Sequence, residues 1–148
     1  MANVTKSIEI EASPEKVFAW TSDTKNVNDA MKGFTELEQT SKGPLALGST
    51  FHAVGKAGGN TVEVDMEAIE FVKNKKVVWR TVGASKTKMT STWTYEPTAK
   101  GTKVIYAQEY EVPYSILGKL VDKLKVHKDI EKNNASMLEY MKKAIEAK

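Results

Sequence analysis

Residues 87–112 read TKMTSTWTYEPTAKGTKVIYAQEYEV, and two strands stand out in them. Met89, Ser91, Trp93 and Tyr95 alternate with Thr90, Thr92 and Thr94. After a break at Pro97 to Gly101, Val104, Tyr106, Gln108, Tyr110 and Val112 alternate with Lys103, Glu109 and Glu111. Successive side chains of a strand point to opposite faces, so this period of two predicts one buried face and one wet face. The break is too short for a parallel crossover, so the two strands pair antiparallel.

The same logic runs backwards along the chain. Strands are predicted at about Phe34–Ser41, Ser49–Lys56, Thr61–Phe71, Lys76–Val82, Thr87–Glu96 and Thr102–Val112, separated by Gly43-Pro44, Gly58-Gly59-Asn60, Lys73-Asn74, Gly83-Ala84-Ser85 and Pro97 to Gly101. Short connections throughout make this a six-strand antiparallel meander. Val62, Val64, Met66 and Ala68 face one way, and Glu63, Asp65 and Glu67 the other. Placing Trp79 inward sends Arg80 to solvent, the cheaper choice for a charge. A further strand, Val4–Ala12, precedes the meander, with Val4, Ile8, Ile10 and Ala12 on one face. Ser13 caps a helix that opens with Pro14, where a missing N–H costs nothing. A second helical turn covers Thr24 to Met31 and ends near Gly33.

From Tyr114 to Ala147 the period becomes helical, with a stripe through Leu117, Leu120, Val121, Leu124, His127, Ile130, Asn134, Leu138, Met141 and Ile145. Asn133-Asn134 is a weak helical stretch where a kink is allowed. An apolar sheet face needs a cover, and only this helix is long enough to supply it.

Composition removes several functions. The chain has 148 residues, the length of one domain spanning 1–148. It contains no cysteine, so disulfides, thiolate metal sites and a cysteine nucleophile are excluded. Net charge is +3 and Arg80 is the only arginine, which argues against base readout and phosphate clamps. The eight lysines and five acids between Ile116 and Lys148 read as a solvated helix face. No apolar run reaches the ~18 residues of a membrane span. Met1 to Glu11 lacks the continuous apolar core of a secretory signal, which makes the expected location cytoplasmic. His52 and His127 lie far apart in sequence and no His-Glu-x-x-His spacing occurs, so neither a metal nor another cofactor is expected.

The element order, together with Ile8-Glu9-Ile10-Glu11-Ala12-Ser13-Pro14-Glu15-Lys16-Val17-Phe18, Gly48-Ser49-Thr50-Phe51, Trp93-Thr94-Tyr95-Glu96-Pro97 and Gly101-Thr102-Lys103-Val104, resembles the START-like (SRPBCC) superfamily in its polyketide cyclase/dehydrase-like branch. The resemblance covers essentially the whole chain. It implies an α+β helix-grip fold: a curved seven-stranded antiparallel sheet around a long C-terminal helix, with two short helices after the first strand. It also implies a deep cavity between sheet and helix. These motifs mark architecture, and fold analogy alone does not establish activity.

Met66, Trp79, Met89, Trp93, Tyr106 and Tyr110 form the expected inward set, with Leu120 and Leu124 facing them from the helix. On spacing alone they read as ordinary core; the resemblance implies a cavity wall. Ser91, Gln108, His127 and Asn134 are the polar residues expected inside, where such groups orient a ligand or bond to one another. Ser91 and Asn134 are assigned to internal bonding. Gln108 sits mid-strand with His127 opposite it. The leading expectation is a non-catalytic binder or carrier of a small hydrophobic or amphipathic molecule. The second is a cyclase or dehydratase with His127 as base and Tyr106 or Tyr110 as proton donor, because an imidazole titrates near neutrality. The third is a protein-interaction module resembling activators of the heat-shock chaperone ATPase, acting through the acidic stripe and the lysine-rich helix face. Oligomeric state is not legible.

Overall fold

The computed structural model describes residues 2–31, 33–57, 60–83, 87–111 and 120–147, with the backbone alone for 57, 60 and 120–123. Elements follow the expected order: β1 (Ala2–Ile10), α1 (Pro14–Thr21), α2 (Thr24–Ala30), β2 (Phe34–Gln39), β3 (Thr50–Ala57), β4 (Asn60–Val72), β5 (Lys76–Val82), β6 (Lys88–Pro97), β7 (Thr102–Glu111) and α3 (Leu120–Glu146). Gly58, Gly59, Ala84, Ser85, Val112, Tyr114 and Leu117, which figure in the expected turns, last strand and helix, lie outside the described residues.

The strands form one curved seven-stranded sheet in the order β1-β7-β6-β5-β4-β3-β2, every neighbour antiparallel. The meander fills six places and β1 is laid beside β7, pairing Ala2 with Tyr110 and Ile10 with Thr102. The chain then crosses to the far edge through α1 and α2. Ser13 Oγ accepts from the Lys16 N–H at 3.2 Å, with Pro14 in the first turn. Asp23 Oδ1 accepts from the Lys25 N–H at 3.0 Å and caps α2 in the same way.

One irregularity in β4 decides what faces inward. Ala68 lies opposite Trp79, but Glu70, not Ile69, lies opposite Val78. Unbroken alternation after Val62, Val64, Met66 and Ala68 would carry the Glu70 carboxylate into the apolar side. The extra residue at Ile69 is a bulge that resets the phase. Glu70 turns outward to Lys76, with 3.5 Å between Oε1 and Nζ. Phe71 turns inward and meets Phe18 edge-on at 5.5 Å. An unpaired buried carboxylate costs far more than one irregular ladder step.

α3 is a continuous 27-residue helix, so Asn133-Asn134 does not break it. It lies along β1. Lys6 Nζ meets Glu131 Oε2 at 3.3 Å, Lys142 Nζ donates to the Glu9 carbonyl at 2.8 Å, and the Glu11 N–H donates to Glu146 Oε2 at 2.9 Å. That N–H, with Lys142 beside it, holds the Glu146 carboxyl below its ordinary pKa. Underneath, Met137, Leu138, Met141 and Ile145 pack against Ile10, Val17, Trp93 and Val104.

Toward its N-terminus the helix is turned away from the expected stripe. Val126 is buried at 1% exposure, whereas Leu124 stands 61% exposed. Residues two apart on a helix are roughly 160° apart around its axis, so burying Val126 necessarily sends Leu124 to solvent. Val126 wins because Val4, Val64 and Tyr110 lie on its flank.

Gly101 lets the β6–β7 turn pass under the end of β1: a Cβ there would run into the backbone of Ile10 and Ala12. Neither backbone can move aside as a side chain could. Gly101→Ala is therefore expected to lower the urea midpoint by the equivalent of about 1–3 kcal/mol, with the m-value unchanged.

Candidate functional site

Two adjoining cavities lie between the sheet and the helices. The first, about 70 Å3, is lined chiefly by Phe51, Met66, Phe71, Trp79, Trp93 and Ser91; Thr21, Ser22, Val27 and Leu45 border it from α1, α2 and the β2–β3 segment. The second, about 100 Å3, is lined by Val62, Val64, Gln108, Tyr110, Val126 and Ile130, with Asn133, Asn134 and Met137 along α3. Met31, Phe34, Met89 and Tyr106 line both and form the partition.

The sheet register creates these walls. Ser91 lies opposite Gln108, Trp93 opposite Tyr106, and Met89 opposite Tyr110, which puts six inward side chains of β6 and β7 in one band. Trp93 and Tyr106 meet at a tilt, 4.5 Å between centroids, and Phe51 meets Trp79 edge-on at 5.0 Å. Among the described residues, no carboxylate, imidazole or guanidinium lines either cavity; Lys56, exposed at the rim of the second, supplies the one ammonium and donates to Thr61 Oγ1 at 3.0 Å.

Polar groups inside bond mainly to one another. The Tyr106 hydroxyl donates to Ser91 Oγ at 3.2 Å, and burial pushes its pKa up to about 12, an effect the Ser91 contact only partly offsets. Tyr95 shares a 2.8 Å hydrogen bond with Thr21, and burial raises it further still. Asn134 Nδ2 donates to Gln108 Oε1 at 2.9 Å, and Gln108 Nε2 points at the Met89 sulfur.

At the outer end of the second cavity a polar chain leads to solvent. Tyr110 Oη lies 2.9 Å from His127 Nδ1, His127 Nε2 lies 3.3 Å from Glu131 Oε1, and Glu131 reaches Lys6. A carboxylate only accepts, so in the neutral ring Nε2 carries the proton and Nδ1 accepts from the tyrosine. Burial, then the Glu131 charge, raises the Tyr110 pKa.

Met66, Trp79, Met89, Ser91, Trp93 and Tyr106 meet around the first cavity, and Met89, Tyr106, Gln108 and Tyr110 around the second. Leu124 is removed from the site by the rotation of α3. His127 does not face Gln108: Asn134 takes that place, and the imidazole, 39% exposed, sits outside Tyr110. The Leu120 side chain lies outside what is described. Sequence reasoning missed Phe71, whose orientation depends on the bulge, and Met31 and Phe34, which come from the crossing segment and only tertiary packing brings inside. Phe51 was findable: with Ala53 it alternates against His52 on β3. The stripe of Glu63, Asp65 and Glu67 does face outward. His52 joins it, 2.8 Å from Asp65 and 3.6 Å from Glu63, and the Asp65 hydrogen bond raises the imidazole pKa.

Fold and cavities together define a helix-grip protein with an apolar interior. The chain belongs to the polyketide cyclase / dehydrase and lipid transport family, whose model matches residues 1–146. Among solved structures it is similar to TTHA0849 from Thermus thermophilus, at 24% identity over 99% of this chain and 98% of that one, with a TM-score of 0.82. It is also similar to the Zhui aromatase/cyclase from Streptomyces sp. R1128, at 12% identity over 98% and 93%, with a TM-score of 0.79. The di-domain ARO/CYC BexL of the BE-7585A biosynthetic pathway matches over 99% of this chain and 50% of its own, at 13% identity and a TM-score of 0.74. At these identities the likeness shows the fold alone. No curated protein matches the sequence. Among the described residues, no helix is long and apolar enough to cross a membrane.

The Tyr106 shift has a consequence for stability. Its folded pKa, about 12, lies above the ordinary 10, so the contribution is complete below pH 10 and is lost as pH rises towards 12. A shift of that size corresponds to about 3 kcal/mol. Tyr95 acts in the same direction. Urea unfolding at pH 9 to 12 should show falling stability, with a shallower fall in Tyr106→Phe.

Proposed function

We propose that the protein binds and carries a small uncharged hydrophobic or amphipathic molecule in the paired cavities. The supporting observation is the lining: aromatic rings, thioethers and aliphatic chains, with no carboxylate and one rim ammonium among the described residues. A cationic ligand would lose its hydration there without gaining a partner, and an anionic one would find only Lys56 at the rim. Each lobe is smaller than the ~150 Å3 engineered cavity that admits benzene. A ligand of more than one ring therefore needs both lobes, joined by moving the partition. Met31 and Met89 suit that role, because methionine is unbranched and changes shape at little cost.

The binding reading has a direct optical test. Of the three tryptophans, Trp79 and Trp93 line the first cavity, and Trp20 packs on α1 near Tyr140. Titration with a neutral two-ring aromatic should quench or shift tryptophan emission. The change should shrink in Trp79→Phe and in Trp93→Phe, and persist in Trp20→Phe. An unchanged emission, together with no ligand mass in native mass spectrometry, would reject the reading.

A second reading, acid–base catalysis of cyclase or dehydratase type, draws support from one observation. Tyr110 joins the second cavity to His127, which Glu131 orients from its other side. Tyr106 fits the role of donor less well, since its proton is already engaged by Ser91. Under this reading, aldol closure of a synthetic β-polyketone is accelerated by the protein, and Tyr110→Phe and His127→Ala each lower the rate by about 100-fold. A rate equal in both variants and the parent protein would exclude it.

A further inference from the structure

We infer that the polar wall of the second cavity is a head-group subsite that selects an uncharged group able both to donate and to accept a hydrogen bond, while the ligand's ring system fills the first cavity and the space opened at the partition. This rests on the binding reading above and assigns an end of the ligand to each lobe.

Two carboxamides, Gln108 from β7 and Asn134 from α3, face each other in the wall of the second cavity, at 7% and 8% exposure. Their orientation follows from their neighbours. Gln108 Oε1 accepts from Asn134 Nδ2 at 2.9 Å, so Gln108 Nε2 faces the Met89 sulfur. A thioether is a weak acceptor, so that N–H is poorly used. A carboxamide offers two donors and an acceptor oxygen, and one contact between the pair leaves most of this capacity unspent.

The clearest surplus is Asn134 Oδ1, which has no hydrogen-bond partner among the described residues. Yet no sealed side-chain nitrogen or oxygen among those residues lacks a partner. The oxygen is therefore not sealed. Since Asn134 is buried and lines the second cavity, that cavity is what it opens onto. An acceptor and under-used N–H donors thus look into a space whose other walls are mostly apolar, Val62, Val64, Val126 and Met137 among them, with Thr87, Tyr110 and Asn133 as the further polar residues and Lys56 at the rim.

The charge of the guest follows from the same walls. Among the described residues lining this cavity, rim-exposed Lys56 is the one cation a carboxylate beside Asn134 Oδ1 would find, and an ammonium would find no carboxylate. A neutral head that donates to Oδ1 and accepts from Nδ2 or Nε2 serves both the acceptor and a donor. The first cavity, with Trp79, Trp93, Phe51 and Phe71, offers aromatic surface, and its deep polar groups are already bonded, Tyr106 to Ser91 and Tyr95 to Thr21.

Naphthalene, 2-naphthamide and 2-naphthoate share one ring system and differ in the head. Their affinities, read by tryptophan fluorescence, should rank 2-naphthamide at least about tenfold above both others. In the double variant Gln108→Leu/Asn134→Leu, which removes both partners together, the amide should fall to the level of naphthalene, which should still bind. Equal binding of amide and naphthalene by the parent protein, preference for the naphthoate, or survival of the amide preference in the double variant would each overturn the subsite. If the double variant does not fold, the parent ranking decides. Failure of all three probes to bind would overturn the cavity reading itself, a different result from binding without discrimination.

Discussion

One helix lies across the concave face of a seven-stranded sheet, and a single helix cannot fill it. At its C-terminal half α3 sits close to β1 and the ends of β6 and β7, and Met141 and Ile145 reach zero or near-zero exposure against Ile10 and Val104. Toward its N-terminal half the sheet curls away through β3 and β4, and Val126, Ile130 and Asn134 leave space in front of Val62 and Val64. α1, α2 and the crossing segment close the remaining side with Phe18, Val27, Met31 and Phe34. The cavities are what remains when a curved surface is covered by straight and short elements.

The interior is tuned toward neutrality. The bulge at Ile69 keeps Glu70 out, Arg80 stays exposed, and the acidic side chains of β4 line the opposite face. Burial holds the Tyr106 and Tyr95 hydroxyls in their protonated form, so they act as hydrogen-bonding groups and not as charges. Ionic contacts are confined to the outside, where Lys6, Lys142 and Glu146 fasten α3 to β1. Such exposed pairs contribute little energy each. The helix is held mainly by its buried apolar side chains.

The polar groups that do enter are few and sorted by position. Ser91 and Tyr106 satisfy each other near the partition, the two amides bond to each other in the wall of the second cavity, and Tyr110 passes its hydrogen bond outward to His127. The two proposed readings differ in which polar pair meets the ligand: the amides under carriage, the tyrosine and its imidazole under catalysis.

Much of this was legible before any coordinates. Strict alternation in β4, β6 and β7 determined the meander, the inward set from Met66 to Tyr110 and the outward acidic stripe, because a strand's two faces follow from chain geometry alone. Ser13-Pro14 marked the start of α1 for an equally local reason. Three features were decided only by the tertiary structure. The phase change at Ile69 depends on what an inward Glu70 would meet, the rotation that buries Val126 and exposes Leu124 depends on which flank the sheet presents, and the pairing of Gln108 with Asn134 depends on where along β7 the helix is laid. A helical period tells which residues share a stripe, but neighbouring stripes on a helix differ by small angles, and contact with the sheet selects among them.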